Sequence, residues 1–293
     1  MKVGIIGLGL MGMAFSKHLV KKGYEVLGYD VNPEKRAALE ALGGRFCESC
    51  AQVGAQADAV LLLVFNGEQV RGAVCGEQSL LSTMPAGKAV LVMCSVGCDA
   101  VDAIRPALAK RDIHLLDATM MGNCEDAENG CVHIMVAADD AAFAPVEGLL
   151  RDMSAELYFI SKTPGDAQKA KSCLQALFSL TFETAFEVVA LAQNAGLDMN
   201  EMHRVFANSP SSSPLLHITE KCVLDKVYTG TNNPLSILDK DINLVLELAA
   251  KEELRLGACE GTAKVFDKAM RLYPGEDIFA AVKALRASDG TAR

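Results

Sequence analysis

Lys171 and Gln175 stand at i and i+4 in the run Gly165-x-Ala167-x-x-x-Lys171-x-x-x-Gln175, so on a helix they share one face. An amine and an amide so placed can move a proton. The amine acts as general acid or base, and the amide holds the amine or a hydroxyl. Cys173, Leu174, Leu177 and Phe178 flank the pair with apolar surface. Lys171 falls within about two turns of the expected helix start, where the dipole disfavours a cation, and Lys169 adds like charge. Both effects lower a lysine pKa toward the working range of an acid–base catalyst. Taken alone, both lysines read equally as side chains that snorkel to solvent.

Two more segments hold polar groups in apolar company. Leu116-Asp117-Ala118-Thr119-Met120-Met121-Gly122-Asn123, followed by Glu128-Asn129-Gly130, leaves the C-terminal end of an expected strand, where open α/β sheets place ligands. Asp239-Lys240-Asp241-Ile242-Asn243-Leu244 lies inside an expected helix that is apolar at Leu235, Leu238, Ile242, Val245, Leu246 and Ala249. Lys240 there either pairs with a neighbouring aspartate or turns toward a ligand.

A fourth segment supplies a cofactor site. Val3 to Ile6 read as a buried parallel strand, and Gly7-Leu8-Gly9-Leu10-Met11-Gly12 as a G-x-G-x-x-G turn into a helix over Met13 to Lys22. The first glycine permits the tight turn, the second lets backbone approach a pyrophosphate, and the third lets helix pack on strand. The diphosphate sits on the free N–H groups of that helix. The next strand, Glu25 to Tyr29, ends at Asp30, placed to accept hydrogen bonds from a ribose 2′-OH, with Val31 and Asn32 following. A carboxylate at Asp30 repels a 2′-phosphate, which favours NAD over NADP. Lys35 and Arg36 soften that preference if they face the ribose.

These residues need a scaffold. Apolar runs at Ala59–Phe65, Ala89–Cys94, Ile113–Asp117, Val132–Ala138 and Leu157–Ile160 alternate with helical stretches, which predicts a doubly wound parallel sheet of Rossmann type. The pattern changes at Ser161–Gly165, with Thr163 as candidate N-cap and Pro164 at the first helical position. One long helix follows to about Asn194. Further helices are expected at about 199–207, 215–225, 234–252, 257–271 and 276–287, then a frayed tail. Residues 1–162 are thus expected to form an NAD(P)-binding domain. Residues 163–293 are expected to form an all-helical domain for substrate and oligomerisation. The long apolar helix calls for extra covering, which a homodimer or homotetramer would supply.

Composition narrows the partners. A chain of 293 residues with net charge −9 and no basic block is a poor nucleic-acid binder. No stretch reads as a membrane span, since the most apolar, Cys173–Ala192, carries Glu183 and Glu187. The N-terminal apolar run is explained by the glycine turn, so no targeting signal is read and a cytoplasmic location is expected. Ten cysteines include Cys47-x-x-Cys50, but no second pair stands at zinc-binding spacing and the five histidines are scattered. The expectation is no metal, with reduced and mostly buried thiols.

Together the four segments resemble the β-hydroxyacid dehydrogenase family, which includes 3-hydroxyisobutyrate dehydrogenase and tartronate semialdehyde reductase. The resemblance spans essentially the whole chain. It implies a cofactor site at Gly7–Gly12, Asp30–Asn32, the ribose loop Val64-Phe65-Asn66 and the Ser95-Val96 pair near the nicotinamide, with Lys240 nearby. It implies Lys171 as catalytic lysine, supported by Gln175, and Lys240-Asp241 as the family's K-D pair. The substrate loop departs from the usual D-A-P-V-S-G-G. Met121 replaces a serine, Asn123 replaces a glycine, and Gln175 stands for an asparagine. The expected activity is NAD-dependent hydride transfer involving a small 3-hydroxy acid or its semialdehyde. Met121, Gly122, Asn123, Lys240 and Asp241 are expected to bind that substrate. An imine reductase of similar fold and a non-catalytic dinucleotide-binding protein are the alternatives; Lys171 counts against both.

Overall fold

The computed structural model describes residues 1–286; the expected tail over 287–293 lies outside them. Eight strands form one sheet: β1 (Lys2–Ile6), β2 (Glu25–Tyr29), β3 (Arg45–Phe46), β4 (Ala59–Leu62), β5 (Ala89–Val92), β6 (His114–Met121), β7 (Val132–Ala137) and β8 (Ser154–Ser161). Their order is β3-β2-β1-β4-β5-β6-β7-β8, parallel throughout except for the antiparallel pair β6–β7. Between them run α1 (Leu10–Lys21), α2 (Lys35–Ala41), α3 (Cys50–Gly54), α4 (Gly67–Cys75), α5 (Leu80–Thr83), α6 (Cys98–Lys110), α7 (Cys124–Asn129), α8 (Asp140–Phe143) and α9 (Glu147–Met153).

Strands β4 and β5 are apolar and buried at every position because the sheet is covered on both faces there. Ile5, Leu61, Leu91 and Leu116 point into one core; Ile6, Leu62, Val92 and Leu115 point into the other. The order reverses between β1 and β4, whose C-terminal ends form the switch point where such sheets bind ligands. This is the Rossmann-type half of the chain.

The rest is helical: α10 (Asp166–Asn194), α11 (Met199–Ala207), α12 (Pro214–Leu224), α13 (Leu235–Lys251), α14 (Gly257–Leu272) and α15 (Ala281–Arg286). By compactness the chain divides between Lys171 and Ser172, inside α10. Phe182, Phe186 and Val189 of α10 are buried in the second unit's core with Ile242, Phe266 and Phe279. By length and composition alone α10 would pass for a membrane-crossing helix. Core helices pass the same test, and this helix puts its aromatic face into a protein core.

Several boundaries differ from expectation. Helix α1 begins at Leu10, directly after the glycine turn. Strand β6 runs on to Met121 because its last residues pair with β7 after the pairing with β5 has ended. Strand β3 and helix α7 are too short to leave a periodic signal. Helix α10 begins at Asp166, so neither Thr163 nor Pro164 starts it. Of the ten free cysteines only Cys47, Cys50 and Cys259 are buried, so the expectation of mostly buried thiols is corrected.

Candidate active site

The glycine turn has the shape its spacing implies. Gly7 has φ +95°, and a Cβ there would lie 2.4 Å from the Leu63 carbonyl oxygen. A Cβ on Gly12 would lie 2.0 Å from the Gly7 carbonyl oxygen. At Gly9 a Cβ would meet nothing within 4 Å, so that glycine faces open space. Gly9 is also the N-cap of α1 and supplies no side-chain cap. An open cradle beside helix N–H groups fits a dinucleotide diphosphate.

Asp30 locks this turn. Its Oδ2 accepts the Leu8 N–H at 2.7 Å and its Oδ1 accepts the Asn32 N–H at 2.8 Å. Val31 is 85% exposed and Phe65 half-exposed, beside the glycine turn and at the start of α4 respectively. Phe65 donates its N–H to Gln69, and Asn66 caps α4 by accepting the Gln69 N–H at 2.9 Å. Arg36 is engaged with Glu48 and Glu40 and lies over the Phe46 ring. Its guanidinium therefore already has carboxylate partners.

The start of α10 is fixed from the sheet. Asp117, buried at the middle of β6, accepts the Gly165 and Gln168 N–H groups, each at 2.9 Å. Those are orphan donors of the helix N-terminus, so a carboxylate from another element serves as the cap. Burial outweighs these hydrogen bonds and pushes the Asp117 carboxyl up to about 6. The Gln168 side chain completes the junction. Its Oε1 accepts the Val96 and Gly97 N–H groups at 3.0 and 3.1 Å, and its Nε2 donates to Asp117 Oδ1 and the Cys94 carbonyl. The loop carrying Ser95 and Val96 is thereby tied to the first turn of α10. One turn on, Lys171 Nζ donates to the Met120 carbonyl oxygen at 2.9 Å. The amine thus lies at the C-terminal end of β6, within the first unit.

Gln168 was not among the sequence candidates, and Asp117 was read only as part of the β6 exit segment. The only available signal was a glutamine in the first turn of the helix, three residues before the lysine.

The segment after β6 is held by hydrogen bonds of its own. Asn123 accepts the Glu125 and Asp126 N–H groups, and its own N–H donates to Asp126 at 2.8 Å. This closed capping box engages the Asn123 N–H with Asp126. Gly122, at φ +138°, is exposed and Met121 half-buried. In the second unit, Gln175 is buried and donates to Asp241, and Lys240 pairs with Asp241 at 3.1 Å.

The fold, the open glycine cradle and the carboxylate closing the next strand define a two-domain dehydrogenase that uses a nicotinamide dinucleotide. The NAD binding domain of 6-phosphogluconate dehydrogenase matches residues 2–161, and the NAD-binding domain of NADP-dependent 3-hydroxyisobutyrate dehydrogenase matches residues 165–285. L-threonate dehydrogenase of Escherichia coli K12 is 30% identical over 96% of this chain and 93% of that protein. 2-(Hydroxymethyl)glutarate dehydrogenase of Eubacterium barkeri is 27% identical over 96% of this chain and 94% of that protein. The crystal structure of 3-hydroxyisobutyrate dehydrogenase from Salmonella typhimurium superimposes with a TM-score of 0.87 at 29% identity, covering 96% of this chain and 99% of that one. The chain belongs to the β-hydroxyacid dehydrogenase family.

Proposed function

We propose that the protein oxidises a small 3-hydroxy acid, or reduces the matching semialdehyde, with NAD as the preferred cofactor. The observation that carries this reading is the Lys171 amine held on the Met120 carbonyl at the end of β6, in the dinucleotide-binding unit. Gly7–Gly12, Asp30–Asn32, Val64–Asn66 and Ser95–Val96 are the residues assigned to the cofactor. When bound, its nicotinamide accepts hydride from the carbinol carbon, or returns it in the reverse direction.

Lys171 acts at Nζ. In oxidation the neutral amine takes the hydroxyl proton; in reduction the ammonium gives it to the developing alkoxide. The Met120 carbonyl orients the amine, and the Asp117–Gln168 junction fixes the turn that carries it. Gln175 and the Lys240–Asp241 pair take supporting roles. NAD is favoured over NADP because Asp30 presents a carboxylate while Arg36 is engaged with Glu48 and Glu40.

Substrate choice is assigned to Met120–Asn123. Loss of a serine hydroxyl at Met121 and the self-capped Asn123 set this loop apart from the usual family pattern. Two relatives are named for threonate and 2-(hydroxymethyl)glutarate, which supports a short hydroxy acid as the substrate class.

Lys171→Ala tests the assignment. Turnover with a panel of short hydroxy acids is expected to fall by about 10²–10⁴-fold. NADH binding, followed by fluorescence, should stay close to native. Near-native turnover in that variant would refute the role of Lys171.

A further inference from the structure

Histidines that look scattered in sequence meet in the helical unit. His203 lies on α11, and His217 and Glu220 lie at i and i+3 on α12. One ring nitrogen from each histidine and one carboxylate oxygen fall within 4.8 Å of one another. We propose that His203, His217 and Glu220 bind a divalent first-row transition metal of the zinc type.

Two nitrogens and one oxygen form a familiar zinc donor set, with the fourth position left for water. The state of these atoms points the same way. Glu220 is only 2% exposed. Its Oε2 contacts His203 Nδ1 at 2.5 Å, but its Oε1 is buried with no hydrogen-bond partner. His217 Nδ1 is also buried and unpartnered, while Nε2 lies 2.9 Å from Ser212 Oγ. With Nε2–H donated to the serine, Nδ1 carries the lone pair. Metal-binding imidazoles are usually oriented in this way, one nitrogen held by a hydrogen bond and the other left for the ion.

A simple His203–Glu220 ion pair satisfies Oε2 and leaves both buried orphans as they are. A cation provides a partner for each. His203 is exposed, so its ring can shift to admit metal–ligand distances of about 2.0–2.2 Å. The bound ion would staple α11 to α12, which are otherwise joined by the Asn208–Ser213 connection.

The test uses the full chain stripped of metal by a chelator. Zinc chloride is titrated by calorimetry, and cobalt(II) chloride by absorbance. Expected are one saturable micromolar site per chain, a melting temperature that rises with zinc, and cobalt d–d bands free of sulfur charge-transfer absorption. The last readout separates this cluster from the chain's free thiols. His203→Ala, at an exposed position, and Glu220→Gln should each abolish the site. Cys131→Ser should leave it unchanged. Should Glu220→Gln fail to fold, His203→Ala decides. The proposal falls if the native chain binds no zinc at micromolar concentration, if binding survives His203→Ala, or if the cobalt spectrum reports thiolate ligands.

Discussion

Gln168 grips Asp117 twice, donating its backbone N–H to Oδ2 at 2.9 Å and its side-chain amide to Oδ1 at 3.0 Å. The other end of the same amide accepts two N–H groups from the loop that carries Ser95. One buried side chain thus joins a strand, a cofactor-side loop and the turn preceding Lys171. Gln168→Ala strands the Val96 and Gly97 donors. It should lower the unfolding free energy by about 1–3 kcal/mol in urea denaturation, and weaken NADH binding as the loop loosens. Gln168→Glu should do more harm, because it sets a second carboxylate against Asp117. Unchanged stability in both variants would show that the junction carries no energetic weight.

The glycines of the cofactor turn should separate into two classes. Gly12→Ala drives a methyl against the Gly7 carbonyl oxygen, so its melting temperature should drop sharply. Gly9→Ala adds a methyl to open space and should melt like the native chain. Its cost should appear in dinucleotide binding, where the methyl intrudes on the diphosphate. Calorimetric melting and an NADH titration read the two effects separately. A Gly9→Ala protein with native NADH affinity would place the diphosphate elsewhere.

Asp30→Asn tests the choice of dinucleotide. Losing a charge-assisted acceptor should weaken NADH binding about 10- to 150-fold, since such bonds contribute about 1.5–3 kcal/mol. NADPH should lose less, because repulsion of its 2′-phosphate is also removed. The ratio of the two dissociation constants is the measurement, and an unaltered ratio would separate Asp30 from the ribose.

Glu183 on α10 is buried with neither carboxylate oxygen hydrogen-bonded. Burial, and then the Glu187 charge, push its carboxyl from 4.5 to about 7. Because the folded chain holds this proton more tightly than the unfolded one, the group's stabilisation is full below its unfolded pKa. It is lost as pH rises through about 7. Glu183→Gln removes the titrating group. The variant should therefore gain on the native protein from about pH 5 to pH 8, by up to about 3 kcal/mol. Urea midpoints across that range check the trend, and parallel profiles would disprove it.

The sheet and the glycine turn were legible because their signals are local. Buried parallel strands must be apolar at every position, and a G-x-G-x-x-G turn needs its glycines in consecutive sequence. That Lys171 and Gln175 stand on one helix, α10, was legible as helix periodicity. The start of α10 was not, because its cap comes from Asp117, far away in sequence, whereas Thr163 and Pro164 merely look like a local start. The same holds for Gln168, whose partners lie about seventy residues back. The Asn123–Asp126 capping box is local and so lay within reach of sequence reasoning.

That capping box has a further consequence. Helix α7 is closed at its front by Asn123 and Asp126 and at its back by Gly130, which adopts the left-handed conformation. Cys131 donates back to the Asp126 carbonyl at 2.7 Å. The segment from Gly122 to Cys131 therefore satisfies much of its own backbone. Its shape is set by its own short stretch of sequence, whereas the start of α10 is held by the Gln168 junction.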